Sequence, residues 1–165
     1  MKASQSVIII LLVANLVATV WFGLNNGVTN TISVSEKAAE HELPSVVNSE
    51  ERSRLYAQFA KAFNAQDYSA LYNMFGPAAR AQFSKESADA EFIKLNKYFG
   101  SVQDGVFTHS ELAGNQGNTN YYNLYYTVKL PQASEFGGSG RLKITIAVQG
   151  NEYQVFGIRL HAGSA

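Results

Sequence analysis

The chain has 165 residues, 13 basic and 13 acidic side chains, a formal net charge of zero and no cysteine. That length suits one domain plus a tail. Charge balance excludes the basic excess of a nucleic-acid-binding protein, and the lack of thiols excludes disulfides, cysteine nucleophiles and thiolate metal centres.

Residues 1–24 read as a membrane anchor or signal. Within them, residues 7–24 (VIIILLVANLVATVWFGL) are apolar except for Asn15 and Thr19. As a helix this run extends roughly 27 Å, close to the hydrocarbon thickness of a bilayer. Trp21 and Phe22 fall at its far end, where aromatic rings favour the interface. Lys2 and the amino terminus place the only nearby positive charge before the run, and no Lys or Arg follows it until Lys37. The bias orients the N-terminus inside and the rest of the chain outside the cytoplasm. The run is longer than a signal-peptide core and no A-x-A site follows it, which favours an uncleaved single-pass anchor. The expected location is the cytoplasmic membrane with the C-terminal domain outside, periplasmic in a Gram-negative cell. Residues 25–47 are rich in Asn, Thr, Ser, Val and Glu without an aromatic side chain, and read as a mostly flexible linker. His41 sits there among Glu36, Glu40 and Glu42, a pattern better explained by a solvated charged stretch than by a metal site.

The domain is expected over residues 48–162. Asn48 or Ser49 can cap a first helix, with Glu50 and Glu51 in its positive first turn. Leu55, Phe59 and Phe63 recur at intervals of four, widened by Tyr56 and Ala60, which is one buried helical face. Asp67 can cap a second helix carrying Tyr68, Leu71, Tyr72 and Phe75, and Gly76-Pro77 ends it. A third helix starts near Ser84, with Phe92, Leu95 and Phe99 as its stripe, Ile93 beside them and Gly100 past its end.

After Gly100 the period changes to two. Strands are expected over residues 106–112, 121–130, 141–149 and 153–161. In the second, Tyr122, Leu124, Tyr126, Val128 and Leu130 share one face; in the third, Leu142, Ile144, Ile146 and Val148 do. Gly150-Asn151 signals a tight hairpin. In the last strand Phe156, Ile158 and Leu160 are expected inward, with Gly157 at a bulge or bend. One apolar and one polar face imply an antiparallel sheet covered on one side, and only the helices are available to cover it. The fold class is α+β: three N-terminal helices on a curved antiparallel sheet of about four strands, preceded by one transmembrane helix.

This order of elements resembles the cone-shaped fold of nuclear transport factor 2 and ketosteroid isomerase, within the cystatin-like cone group. The stretch FAKAFNAQDYSALYNMFGPAARAQFS looks like the opening of small membrane-anchored bacterial envelope members of that superfamily. Fold there does not give activity, because isomerases, dehydratases, immunity proteins and scaffolds share it. The resemblance implies a cone whose enzymes place Asp, His or Tyr inside, and none of those positions matches here residue by residue.

The candidate pocket collects Tyr72, Phe75, Phe99, His109, Glu111, Tyr122 and Tyr126. Tyr122 and Tyr126 either bond backbone and water or offer polar tips to an apolar ligand. His109 and Glu111 lie two apart on a strand, able to move a proton if they face inward; Phe107 shares their parity, so the register is open. Asp67 reads as a cap before a general base. No motif for a nucleophile, nucleotide or metal is present, and no catalytic residue, metal or cofactor is assigned. The expected function is non-catalytic binding of a protein partner or a small apolar ligand, with the outer sheet face (Tyr121, Tyr125, Arg141, Lys143, Arg159) as a contact surface. The alternatives are a small acid–base enzyme using the cone, or a scaffold subunit of an envelope assembly.

Overall fold

The computed structural model describes residues 42–131 and 138–163. The anchor expected at 7–24 and all but the end of the linker lie outside these residues. Among the described residues, no helix is long and apolar enough to cross a membrane. The last residues of the expected linker, from 42 on, are structured. Pro44 opens a 3-10 turn, Ser45–Val47, closed by the Val47 N–H on the Pro44 carbonyl at 2.8 Å. Val47 is buried in the core, and that apolar burial offsets the entropy of ordering the turn.

Among the described residues, four α-helices follow rather than three. Helix α1 (Ser49–Asn64) starts where Asn48 Oδ1 accepts the Glu51 N–H at 3.0 Å, and it buries Leu55, Phe59, Ala62 and Phe63. Helix α2 (Tyr68–Met74) starts on Asp67, whose Oδ1 accepts the Ala70 N–H at 2.9 Å. Gly76-Pro77 does end α2, but Pro77 also begins a short helix α3 (Pro77–Arg80). Proline at the first helical position lacks only an N–H that has no partner there, so the same dipeptide stops one helix and starts another. Helix α4 (Lys85–Phe99) is capped by Ser84 and buries Ala88, Phe92, Leu95 and Phe99. Ile93 is 50% exposed and lies off that stripe. Gly100 ends α4 at φ +70°, a conformation glycine adopts without a Cβ clash.

The helices are pinned to the start of the sheet by two asparagines. Asn64 bonds both backbone groups of Val102, Nδ2 to the carbonyl and Oδ1 from the N–H, each at 2.9 Å. Asn96 Nδ2 donates to the carbonyls of Phe63 at 3.1 Å and Gly100 at 3.0 Å. The side chains thus stand in for a strand partner where the chain passes from helix to sheet, and they satisfy backbone groups that would otherwise be unmatched.

The sheet is a four-stranded antiparallel meander in the order β1 (Gln103–Gln116), β2 (Thr119–Lys129), β3 (Ser139–Gln149) and β4 (Glu152–Ala162). Gly150 at φ +60° turns β3 into β4 beside Asn151, as the sequence signalled. Strand β1 is longer than expected at both ends, because its flanks are polar residues, glycine and one alanine, and carry no alternation to read. Tyr122, Leu124, Tyr126, Val128, Leu142, Ile144, Ile146 and Val148 are all buried on the helix side. Tyr126 stacks on Tyr56 of α1 with ring centroids 5.7 Å apart, and its hydroxyl donates to the Arg52 carbonyl at 2.9 Å. Gly105 lets α1 approach β1: a Cβ there would fall 2.0 Å from Tyr56 Cε2. At the far edge, Phe75 bridges to Val155 and the Gly76 N–H donates to the Val155 carbonyl at 2.8 Å, fixing the α2–α3 joint on β4.

The register shifts at three places in β1 and at one in the β3–β4 pair, and two of these bulges decide the side taken by His109, Glu111 and Phe156. In β1, Phe107 pairs with Tyr126 and His109 with Tyr125, so one extra residue separates them. In β4, Val155 pairs with Ile146 and Gly157 with Thr145. The extra residue there turns Phe156 to the outer face, against Tyr121 at 5.1 Å, which corrects the inward expectation. A bulge adds one residue without breaking the sheet, and so reverses the parity of the strand on one side of it.

Candidate functional site

The seven candidate pocket residues fall in three places. Tyr72 and Phe75 meet edge-on around Phe83, at 5.9 and 5.1 Å, and Phe75 reaches Phe92 of α4 at 6.2 Å. Phe99, Tyr122 and Tyr126 are core residues, 7%, 7% and 1% exposed. The Tyr126 hydroxyl takes the backbone alternative left open by the sequence, and its deep burial pushes its ionisation far above the ordinary phenol range. His109 and Glu111 pair with Tyr125 and Asn123, on the face turned away from the helices. The β1 bulge accounts for this: Phe107 faces in, and His109 and Glu111 face out. The candidate acid–base pair is therefore outside the space between helices and sheet.

On that outer face the side chains form rows across the strands. The His109 ring stacks on Tyr125 with centroids 4.5 Å apart and planes 12° from parallel. Glu111 accepts one hydrogen bond from the Tyr125 hydroxyl and another from Asn123 Nδ2 at 2.9 Å. Asn123 Oδ1 in turn accepts from Thr145 Oγ1 at 2.7 Å. Burial alone would raise the Glu111 carboxyl. The hydrogen bonds from Tyr125 and Asn123, with the positive charges of Lys143 and His109, outweigh it and hold the group below its ordinary value. Burial and the adjacent Glu111 push the Tyr125 phenol up to about 12. At neutral pH the pair is a settled carboxylate and phenol, not a proton shuttle poised near pH 7.

Beside this network lie four basic side chains in a two-by-two block. Arg141 is directly opposite His161, and Lys143 directly opposite Arg159. Burial and the charge of Arg159 lower the Lys143 ammonium, against the raising effect of Glu111. Desolvation, then Arg159, Lys143 and Arg141, lower the His161 imidazole. Among the described residues, none of these four enters an ion pair within 4.0 Å. The sequence placed Arg141, Lys143, Arg159 and His161 outward, but not their direct cross-strand opposition, which follows from the bulge in β4.

A second feature is an open groove of about 780 Å³ between the start of α1, the α2–α3 joint and the start of β4. Leu55 and Phe75 line it with Glu51, Arg54, Arg80 and Tyr153. Glu51 Oε2 accepts from Arg54 Nη2 and from the Tyr153 hydroxyl, both at 2.6 Å. Burial and Glu51 push the Tyr153 phenol up to about 12, and the bonds from Arg54 and Tyr153 hold Glu51 low. Those groups satisfy one another and lock α1 onto β4. Sequence reading missed this trio because Glu51 and Tyr153 are 102 residues apart. Among the described residues, no three His, Asp or Glu side chains converge as metal ligands.

No protein-family model matches the chain, and no curated protein matches it. Among solved structures it is similar to Aln2 from a Streptomyces species, at 16% identity and a TM-score of 0.46, over 73% of this chain and 94% of that one. It is also similar to Bd1075 of Bdellovibrio bacteriovorus, at 11% identity and a TM-score of 0.40, over 70% of this chain and 40% of that one. These are likenesses of outline, and no residue role follows from them.

Proposed function

We propose that the chain is a membrane-anchored, extracytoplasmic domain of the nuclear transport factor 2 type that binds a protein partner and performs no catalysis. One observation carries this reading: the exposed polar chemistry of the sheet lies on its outer face, while the helix side is filled by Tyr126, Leu124, Leu142, Ile144 and Ile146, each at most 1% exposed. Acid–base chemistry in a cone calls for an acid or base within its pocket, and His109 and Glu111 point the other way. A sheet face with aromatic, amide and cationic side chains suits macromolecular contact. The apolar run at 7–24 supports the anchor, and the Lys2 bias supports an external domain.

The test has two arms. Alkaline phosphatase fused after residue 165 should be active in whole cells, since that reporter works only outside the cytoplasm; an inactive fusion present at normal level overturns the location. A photo-crosslinking side chain at Thr145, on the outer face, should trap a discrete protein in the membrane fraction, while one at Ile93, on the helix side, should not. No adduct from either position, in a chain at normal abundance, overturns the binding reading.

A further inference from the structure

The outer face carries an arrangement that costs stability where it stands. Like charges directly opposite across a strand pair destabilise a sheet. Here Lys143 with Arg159 is such a pair, and the adjoining row sets Arg141 against His161, whose imidazole is held below its ordinary value and adds a like charge only in acid. Arg141 and Lys143 lie on the inner strand β3 and Arg159 and His161 on the edge strand β4, and Arg141, Lys143 and Arg159 are only partly exposed. The carboxylate nearest by strand register, Glu111, is already engaged by Tyr125 and Asn123. Lys129, at the end of β2, has its own partner in Asp104 at 2.7 Å. The chain as a whole has equal numbers of acidic and basic groups, so the block is a local separation of charge and not a general basic character.

We propose, building on the binding reading above, that this block is the docking site for an acidic, extended segment of a partner protein. Charge complementarity selects the occupant. Residues two apart on a strand lie on one face about 6.7 Å apart. An extended peptide with carboxylates at alternate positions reproduces that spacing, and can set one against the Arg141–His161 row and the next against the Lys143–Arg159 row. Arginine adds a fork of donors that matches a carboxylate in two-point contact. The aromatic neighbours Tyr121, Phe156 and Tyr125 supply flat apolar area beside the charges, as protein contacts use. A second copy of this chain laid face to face would set the same cations against each other. A bilayer surface is engaged by protruding basic tips, whereas Arg141, Lys143 and Arg159 are only partly exposed.

The experiment uses the full chain in phosphatidylcholine nanodiscs and a fluorescein-labelled (Glu-Ser)6 peptide, read by anisotropy. Binding is expected, with no binding of (Lys-Ser)6, and with affinity falling as salt rises. The triple substitution Arg141→Gln, Lys143→Gln, Arg159→Gln should weaken it about ten-fold or more, whereas Lys94→Gln with Lys97→Gln on α4 should leave it within about two-fold. The His161 ring should titrate at higher pH with peptide bound, because a nearby anion favours its charged form. Equal binding by the triple variant and the wild type, with circular dichroism unchanged, overturns the proposal. So does capture of the wild type, but not the triple variant, by phosphatidylglycerol vesicles when the peptide fails to bind, since the source would then be lipid. So does tighter peptide binding after Glu36→Gln with Glu40→Gln, since the occupant would then be the chain's own acidic stretch. If the peptide fails but Thr145 still traps a protein, only the chemistry of the partner is wrong; if neither occurs, the binding function falls with it.

Discussion

Replacing Asn64 by alanine should cost this domain about 2 kcal/mol, from two lost hydrogen bonds of about 1 kcal/mol net each. Both bonds go to Val102, which is 1% exposed, and both are 2.9 Å long. Truncation leaves the Val102 N–H and carbonyl without partners at the point where α4 hands over to β1. Asn64 itself is exposed, so water can follow the truncation inward, and this holds the loss near the sum of the two bonds and below the full penalty for dry, unmatched groups. Urea unfolding followed by circular dichroism measures it. With a slope of about 1.5 kcal/mol per molar, typical for a small domain, the midpoint should fall by about 1.3 M with the slope unchanged. Asn64→Asp is the informative companion. Its carboxylate can still accept from the Val102 N–H but has nothing to donate to the carbonyl, so at neutral pH it should lose at least half as much. If Asn64→Ala lies within about 0.5 kcal/mol of wild type, the asparagine is not what joins the helices to the sheet, and the reasoning fails.

Substitutions at three further positions test the same geometry. Asp67→Ala should cost about 1 kcal/mol in the same assay by uncapping α2, and Asp67→Ser should recover most of it; a loss in Asp67→Ser equal to that in alanine would deny the cap. Gly105→Ala should destabilise by about 1–3 kcal/mol because the new methyl meets the Tyr56 ring, and Tyr56→Ala should mask the effect when the two are combined; simple additivity would refute the contact. Glu111→Gln should bring the Tyr125 phenol down from about 12, as ultraviolet titration would show, since burial remains but the carboxylate does not. In the same pair, Glu111 is held below its ordinary value when folded, so its contribution to stability is present above the unfolded carboxyl value of about 4.3 and is lost as pH falls through the lower folded one. Glu111→Gln should therefore flatten part of the acid limb of stability; an unchanged limb counts against the network.

What could be read from the sequence was what depends on near neighbours. Asn48, Asp67 and Ser84 cap their helices because each acts on a backbone N–H three residues on. The buried stripes of α1 and α4 and the inward faces of β2 and β3 are simple periods, so Tyr122, Leu142 and Ile146 lie where alternation put them. Legibility ended where one residue breaks the count. Helix α3 was hidden because Gly76-Pro77 carries a stop signal and a start signal together. His109 and Glu111 could not be assigned a side from parity, because they follow an unmarked bulge, and Phe156 was misplaced inward because Gly157 signals a bulge or bend without showing which residue is the extra one. The candidate site suffered most. Cross-strand opposition of Lys143 and Arg159, or the meeting of Glu51 with Tyr153, is a property of register and topology and leaves no local trace in the sequence.

The extra residue at Thr108, one of three register shifts in β1, sets the stretches on either side of it as two short words in different reading frames. Upstream of Thr108 the odd-numbered Phe107 belongs to the interior; downstream, the odd-numbered His109 and Glu111 belong to the exterior. Thr108 is the hyphen, its hydroxyl donating to the Tyr125 carbonyl at 3.2 Å. Single-residue insertions or losses at this hyphen would therefore swap inside for outside along half a strand, whereas a change of two residues would keep each frame. Length variation here should be counted in pairs.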